Sequence, residues 1–175
     1  MKSEPDEVSI DDLKKLKRVP WTGVRGYQAR NYMRDDMKFG DMVIFYHSST
    51  KEVGPAGVAK VASLPYPDLT QFDRTSKYFD PKSKKEKPTW VMVDVRFVKR
   101  FPRIISREEM KKEKALANML LWKYMRLSIT PLTKKEFDCI LKYARKVLPR
   151  IPSDFCVFNQ KLLRSLYPSA LLGGC

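Results

Sequence analysis

His47 is the only histidine in the chain. It stands between Tyr46 and Ser48, at the end of an unbroken apolar run from Met42 to Tyr46. An imidazole beside a hydroxyl invites a base–nucleophile reading. Neighbours on an extended strand point to opposite faces, however, so adjacency alone cannot make His47 and Ser48 a catalytic pair. No G-x-S-x-G, P-loop or paired-carboxylate pattern occurs, and the chain is read as a binding protein, not an enzyme. A buried strand that ends in Tyr, His and Ser is suited to wall a small polar pocket, because its rigidity holds the groups at its mouth. On these residues alone, His47 serves equally well as a group that only satisfies a strand end.

Other residues offer matching chemistry. Trp21, Tyr46, Tyr66 and Trp90 have π-faces of the kind that stack bases. Ser3, Glu4, His47, Ser48 and Ser128 have polar edges of the kind that read a Watson–Crick face. Arg25, Arg126 and the Lys-rich turn with Lys82, Lys84 and Lys85 provide cations for phosphate. Each aromatic is also ordinary core material, and each charge an ordinary solvated group. As a set they fit one base taken out of its stack and inserted into a pocket.

The charge balance agrees. Thirty-five Lys and Arg stand against twenty Asp and Glu, a net charge of +15 and a pI near 9.8. The excess is concentrated after residue 84. Such a surface attracts a phosphate backbone by counterion release without reading sequence; plain solubility and attraction to acidic membranes are the competing readings. The cysteines, Cys139, Cys156 and Cys175, are far apart and lack metal spacing, so they are read as reduced thiols, and neither metal nor cofactor is expected. No apolar run is long enough to span a bilayer, and the acidic start has no signal-peptide pattern, which points to the cytosol or nucleus.

The elements that must position these groups follow from local pattern. Ser9 with Asp11 and Asp12 starts a short helix through Leu16, with Pro20 as its stop. Trp21 to Tyr27 is a turn-rich loop, and Gln28 to Met33 a brief helix. Strands are expected at Met42–Tyr46, Ala56–Ala62 and Trp90–Val98. Residues 64–87 form a long irregular segment whose aromatics argue for packed order. Ser106–Glu109 and Thr133–Glu136 are capping boxes, and the second opens a helix with a Phe137, Ile140, Leu141, Ala144, Val147, Leu148 stripe. The class is α+β and barrel-like.

Seven ordered blocks then resemble the EVE domain. They are Met1-Lys2-Ser3-Glu4-Pro5, Trp21 through Asn31, Phe45-Tyr46-His47-Ser48, Tyr66-Pro67-Asp68, Tyr78 through Ser83, Trp90 through Val95, and Arg126-Leu127-Ser128-Ile129. The resemblance places a domain at residues 1–149 and leaves residues 150–175 as an ill-ordered tail. It implies a PUA-like fold, a small curved β-barrel with peripheral short helices and a C-terminal helix. It also implies a nuclear (alternatively cytoplasmic), non-catalytic reader of modified bases in nucleic acid. Modified cytosine in DNA, such as 5-methylcytosine or 5-hydroxymethylcytosine, is the expected target. An RNA- or tRNA-associated factor and a protein-interaction module with a basic surface are the alternatives.

The positions that would line the family's pocket are Ser3, Glu4, Trp21, Val24, Tyr46, His47, Ser48, Trp90 and Ser128. Arg25, Arg30 and Arg126 would be outer anion contacts. Three features depart from the family pattern, one of them a tail after Leu148 with no counterpart in it. The apolar strand that usually precedes Met-Lys-Ser-Glu-Pro is not in this sequence, which predicts a shortened first strand and an open sheet edge. Gly26 and Thr22 replace a usual Asn and a usual acid, which predicts a looser Trp21 loop.

Overall fold

A computed structural model describes residues 1–146. A five-stranded sheet in the order β1-β3-β4-β7-β2 forms its centre. β1 (Lys2–Ser3) runs parallel to β3 (Met42–His47). β4 (Gly54–Val61), β7 (Asp94–Arg100) and β2 (Arg18–Pro20) continue the sheet antiparallel. The register shifts between Phe45 and Tyr46 and again between Val58 and Ala59. Such irregularities increase local twist and help a sheet curl.

The apolar run of β3 is uninterrupted because both faces of the sheet are covered. Val43 and Phe45 join a core with Leu13, Val19, Met33, Ala59, Val61 and Val95 on one face. Ile44 and Tyr46 join a second core on the other, with Val58, Phe101, Ile105, Met110, Leu116 and Ile140. Each such large side chain contributes roughly 1.5–3 kcal/mol on burial, so the two layers together fix the strands.

Three capping boxes set the helix starts. In α1 (Ile10–Leu16) the Ser9 hydroxyl accepts the Asp12 N–H, and the Asp12 carboxylate accepts the Ser9 N–H. α3 (Arg107–Lys112, after α2 described below) repeats this with Ser106 and Glu109. α4 is Leu120–Lys123. α5 (Lys134–Lys146) opens on Thr133 and Glu136, and its Phe137, Ile140, Leu141 and Ala144 pack on the second core. Val147, Leu148 and the expected tail at 150–175 lie outside the described residues.

The structure departs from the sequence reading at three places. α1 ends at Leu16 as expected, but its stop is Lys17 and not Pro20: Lys17 takes a left-handed conformation, φ 64°, and turns the chain into β2. Pro20 closes that edge strand, where a missing N–H costs no ladder bond. α2 is Tyr27–Asn31 and runs into a wider π-type turn, Tyr32–Asp36, that drives Met33 fully into the core. The expected single strand from Trp90 to Val98 breaks at Val93. β6 (Val91–Met92) pairs with β5 (Tyr66–Pro67), and β7 begins at Asp94. The break lets Val93 accept the Trp21 N–H through its carbonyl at 2.8 Å.

The sheet edge at β1 is not bare. On one side Met1 and Ser3 carbonyls accept the Tyr46 and Ser48 N–H groups at 3.0 and 2.9 Å. On the other, the Lys2 N–H donates to the Ser128 carbonyl at 2.7 Å. The Arg126–Ile129 segment thus covers the outer side of β1, which was expected to be an open edge.

Candidate functional site

β1, the end of β3, the Trp21 loop and the α3–α4 region meet around an open cavity of about 620 Å³. Seven of the nine pocket residues expected from sequence line it: Ser3, Glu4, Trp21, Val24, Tyr46, Ser48 and Ser128. Pairing explains the grouping. Ser3 stands opposite His47 in the β1–β3 register, and the Ser3 carbonyl takes the Ser48 N–H, so the two serines are fixed side by side. Lys2 fixes Ser128 in turn.

Trp21 is 7 % exposed and meets Phe45 edge-on, ring centroids 5.5 Å apart. That contact makes it a rigid wall. Tyr46 is also buried, and desolvation raises its phenol pKa. Its hydroxyl has no hydrogen-bond partner among the described residues, which leaves it available to a ligand. The Glu4 carboxylate at the rim accepts the Ser49 hydroxyl at 2.9 Å.

Four cations also line the cavity: Lys2, Lys77, Arg107 and Arg126, against Glu4 and Glu7. Glu7 and Lys77 form an ion pair across seventy residues of chain. Lys2 donates to the Met125 carbonyl at 2.6 Å, and burial followed by the charge of Arg107 pushes its ammonium pKa down. A site of this kind has an aromatic and aliphatic interior, hydroxyls at its edges and positive charge at its mouth, and its volume suits a small ligand.

His47 and Trp90 do not line this cavity, contrary to the sequence expectation. Strand alternation turns His47 to the face opposite Tyr46 and Ser48. Its Nε2 accepts the Ile10 N–H at 3.1 Å, satisfying the first turn of α1, and the ring meets Phe45 edge-on at 5.7 Å. Burial lowers its pKa, so the imidazole stays neutral and keeps the acceptor that Ile10 needs. Trp90 sits behind the Trp21 loop. Its Nε1–H donates to Asp80 at 2.7 Å, and Tyr27 lies against its ring at 5.0 Å. The expected stacking residue Tyr66 is likewise elsewhere. Its hydroxyl donates to Asp94, which also takes Arg18.

The expected outer cations divide into two groups. Arg25 donates to Asp68, Thr70 and the Tyr78 carbonyl at 2.8 Å each, and Arg30 to Asn31 and the Thr89 carbonyl. These two guanidiniums are engaged inside the protein. Arg126 is exposed at the cavity, while Lys82, Lys84 and Lys85 are exposed on a turn outside its lining.

The irregular segment that supports the Trp21 loop is built on two buried polar side chains that the sequence did not single out. Asp68 is fully buried and accepts the Gly23 N–H, Arg25, and both the N–H and hydroxyl of Thr70. Burial pushes its carboxyl up, but the Thr70 and Arg25 side chains and the Gly23 and Thr70 N–H groups outweigh that and hold it below the usual range. Gln71, also fully buried, donates to the Asp68 and Trp90 carbonyls and accepts the Thr89 and Trp90 N–H groups and the Ser83 hydroxyl. Tyr78 and Trp122 complete the cavity. Trp122 is anchored by its Nε1–H, which donates to the Leu116 carbonyl at 2.7 Å. In the sequence it stands only inside a helical patch, Ala115 to Tyr124.

A family model described as the EVE domain matches residues 1–143. Human thymocyte nuclear protein 1 is 44% identical, over 83% of this chain and 73% of that protein. Among solved structures, a hypothetical protein from Leishmania major is 50% identical with a TM-score of 0.80, over 83% of this chain and 92% of that one. The human THYN1 protein, in complex with DNA containing 5-methylcytosine, is 43% identical with a TM-score of 0.79, over 85% of this chain and 97% of that one. The architecture is the α+β, PUA-like fold expected from the sequence: a curled half-barrel with short peripheral helices and a C-terminal helix.

Proposed function

This chain belongs to the EVE domain family, and on that footing we propose that it binds DNA and reads a modified cytosine flipped into the cavity between Trp21 and Tyr46. One observation carries the reading: rigid aromatic walls, the unpartnered Tyr46 hydroxyl, serine hydroxyls and a positive mouth converge on a single cavity. The human relative's complex with 5-methylcytosine DNA supports the choice of target.

The chemistry of the reading is direct. Trp21 and Tyr46 offer surface to the base faces, worth roughly 1–3 kcal/mol per stacked base. Glu4 is an acceptor for the cytosine amino group, the Ser128 hydroxyl serves as donor or acceptor at the remaining edge, and the Ser3 and Ser48 hydroxyls, whose protons go to the Val8 and Ser3 carbonyls, serve as acceptors. The apolar Val24 side chain gives a C5 substituent a dry surface. Lys2, Arg107 and Arg126 face the flanking phosphates. Lys82, Lys84 and Lys85 add attraction from outside the cavity. Arg25, engaged with Asp68, shapes the wall and does not reach phosphate; Arg30 is likewise engaged. The proposed role is binding without turnover. The name of the curated relatives supports placement in the nucleus.

The test is a binding screen. Matched DNA and RNA oligonucleotides, with cytosine or 5-methylcytosine, are titrated at two salt concentrations. The reading expects DNA to be preferred, the modified base to be favoured at both salts, and affinity to fall steeply with salt. Equal binding of modified and unmodified strands at both salts overturns it; a preference for the ribose strands transfers the site to RNA.

A further inference from the structure

Trp90 was expected in the cavity and instead forms part of a stacked series that leads away from it. Tyr78 lines the cavity. The Arg25 guanidinium lies 5.4 Å from the Tyr78 ring centre and 5.5 Å from that of Trp90. Tyr27 lies against Trp90, centroids 5.0 Å apart and planes inclined at 32°. Arg30 stands 4.9 Å from the Tyr27 ring and 5.8 Å from the Trp90 ring. From the cavity wall outward the order is therefore Tyr78, Arg25, Trp90, Tyr27 with Arg30.

Trp90, Arg25 and Arg30 are each held from several sides. Trp90 is 5 % exposed and tied by Asp80 and Gln71. Arg25 and Arg30 have their N–H groups engaged by protein acceptors. Tyr27 alone is open to solvent, at 63 %. Its hydroxyl has no partner among the described residues. Beside it, Gly26 has no neighbouring atom within 4 Å of where a Cβ would stand. A large aromatic at the surface, backed by a fixed indole and flanked by a fixed guanidinium, is a preorganised stacking platform.

Resting on the proposed reading of the cavity, we infer that Tyr27 is a second base-binding position. It stacks an unpaired nucleobase next to the one in the cavity, on a ring backed by Trp90 and flanked by Arg30. Removing one base from a duplex leaves neighbours and an opposite base with lost stacking. A platform a few stacked rings from the cavity wall replaces part of that loss. A surface tyrosine that only shields Trp90 would give no contact to nucleic acid.

The experiment uses the full chain and duplexes carrying one 5-methylcytosine, with 2-aminopurine placed in turn on each side of it and opposite it. Binding of the wild-type protein is expected to quench the probe at one of these places. Tyr27→Phe keeps the quench. Tyr27→Ala loses it and weakens binding about tenfold, while the preference for modified over unmodified cytosine persists. Identical probe emission for wild type, Tyr27→Phe and Tyr27→Ala at every place overturns the inference. A duplex that shows no preference for the modified base defeats the reading of the cavity; stacking on Tyr27 is then judged separately, by the same probe in a single strand. Circular dichroism and the Trp fluorescence of the unbound variants confirm that the fold is kept.

Discussion

The carboxylate of Asp68 accepts the backbone N–H of Gly23 at 2.9 Å, joining two loops forty-five residues apart. The bond fixes the turn that follows Trp21, and therefore the wall of the cavity. The same carboxylate holds Arg25, so one buried acid links the site to the segment behind it.

Loss of that acid is expected to be costly. Asp68→Asn should destabilise the domain by about 3 kcal/mol, because Arg25 loses its partner in a largely buried place. Urea unfolding measures the loss. The folded pKa of Asp68 is depressed, so its contribution is present above the ordinary carboxylate range and disappears as pH falls. Glu109 acts in the same direction: its bidentate bond with Arg103, against the opposing effect of burial, brings its pKa down to about 2. Stability should therefore fall steeply between about pH 4 and pH 2, and the Asp68→Asn variant should show a shallower fall. Equal slopes would show that Asp68 carries no such linkage.

Gly23 has a φ of +79°, and an added Cβ would lie 2.6–2.9 Å from the Tyr78 ring atoms. Gly23→Ala should cost about 1–3 kcal/mol from backbone strain and the displaced ring. It should weaken nucleic-acid binding beyond what the stability loss accounts for, since Tyr78 lines the cavity. A binding titration well below the unfolding midpoint separates the two effects.

His47→Ala should leave base preference unchanged while costing about 1–3 kcal/mol, because the Ile10 N–H is left without its acceptor. Burial depresses the folded pKa of His47. Its unfolded form binds more protons, so its contribution is present above about pH 6.5 and lost below it. Denaturation midpoints at pH 7.5 and pH 5.5 should differ more for wild type than for His47→Ala. An unchanged stability with lost base preference would return His47 to the ligand.

Tyr46→Phe provides the opposite case. The hydroxyl has no partner among the described residues, so its removal should change stability by less than about 0.5 kcal/mol. Affinity for the modified base should fall by about 0.5–1.5 kcal/mol, the worth of one hydrogen bond. Chemical unfolding and a titration of the same preparation decide it.

Much of this architecture is legible in the residues. An unbroken apolar run marks β3, a run of small residues marks β4 and alternation marks β7, while Ser9, Ser106 and Thr133 mark the helix starts through local hydrogen bonds. Blocks such as Met1–Pro5 and Arg126–Ile129 carry the resemblance, and pairing at β1 explains why they come together. Residues 64–87 were harder to read because their order comes from the side chains of Asp68 and Gln71 bonding to backbone, which has no period. Trp122 was obscured by the helical patch, Ala115 to Tyr124, that contains it. His47 and Trp90 show the limit of a motif: it placed them in the right block, while strand alternation and the break at Val93 set which way each side chain faces.

The central claim is that the cavity between Trp21 and Tyr46 distinguishes a modified cytosine from a plain one. The most direct test is the ratio of dissociation constants for two duplexes that differ only at that base, measured for wild type and Trp21→Ala at one salt concentration. The account predicts a ratio favouring the modified duplex for wild type. For Trp21→Ala it predicts a ratio near one, with much of the salt-sensitive affinity retained. A wild-type ratio of one, or a ratio that survives loss of Trp21, would contradict it.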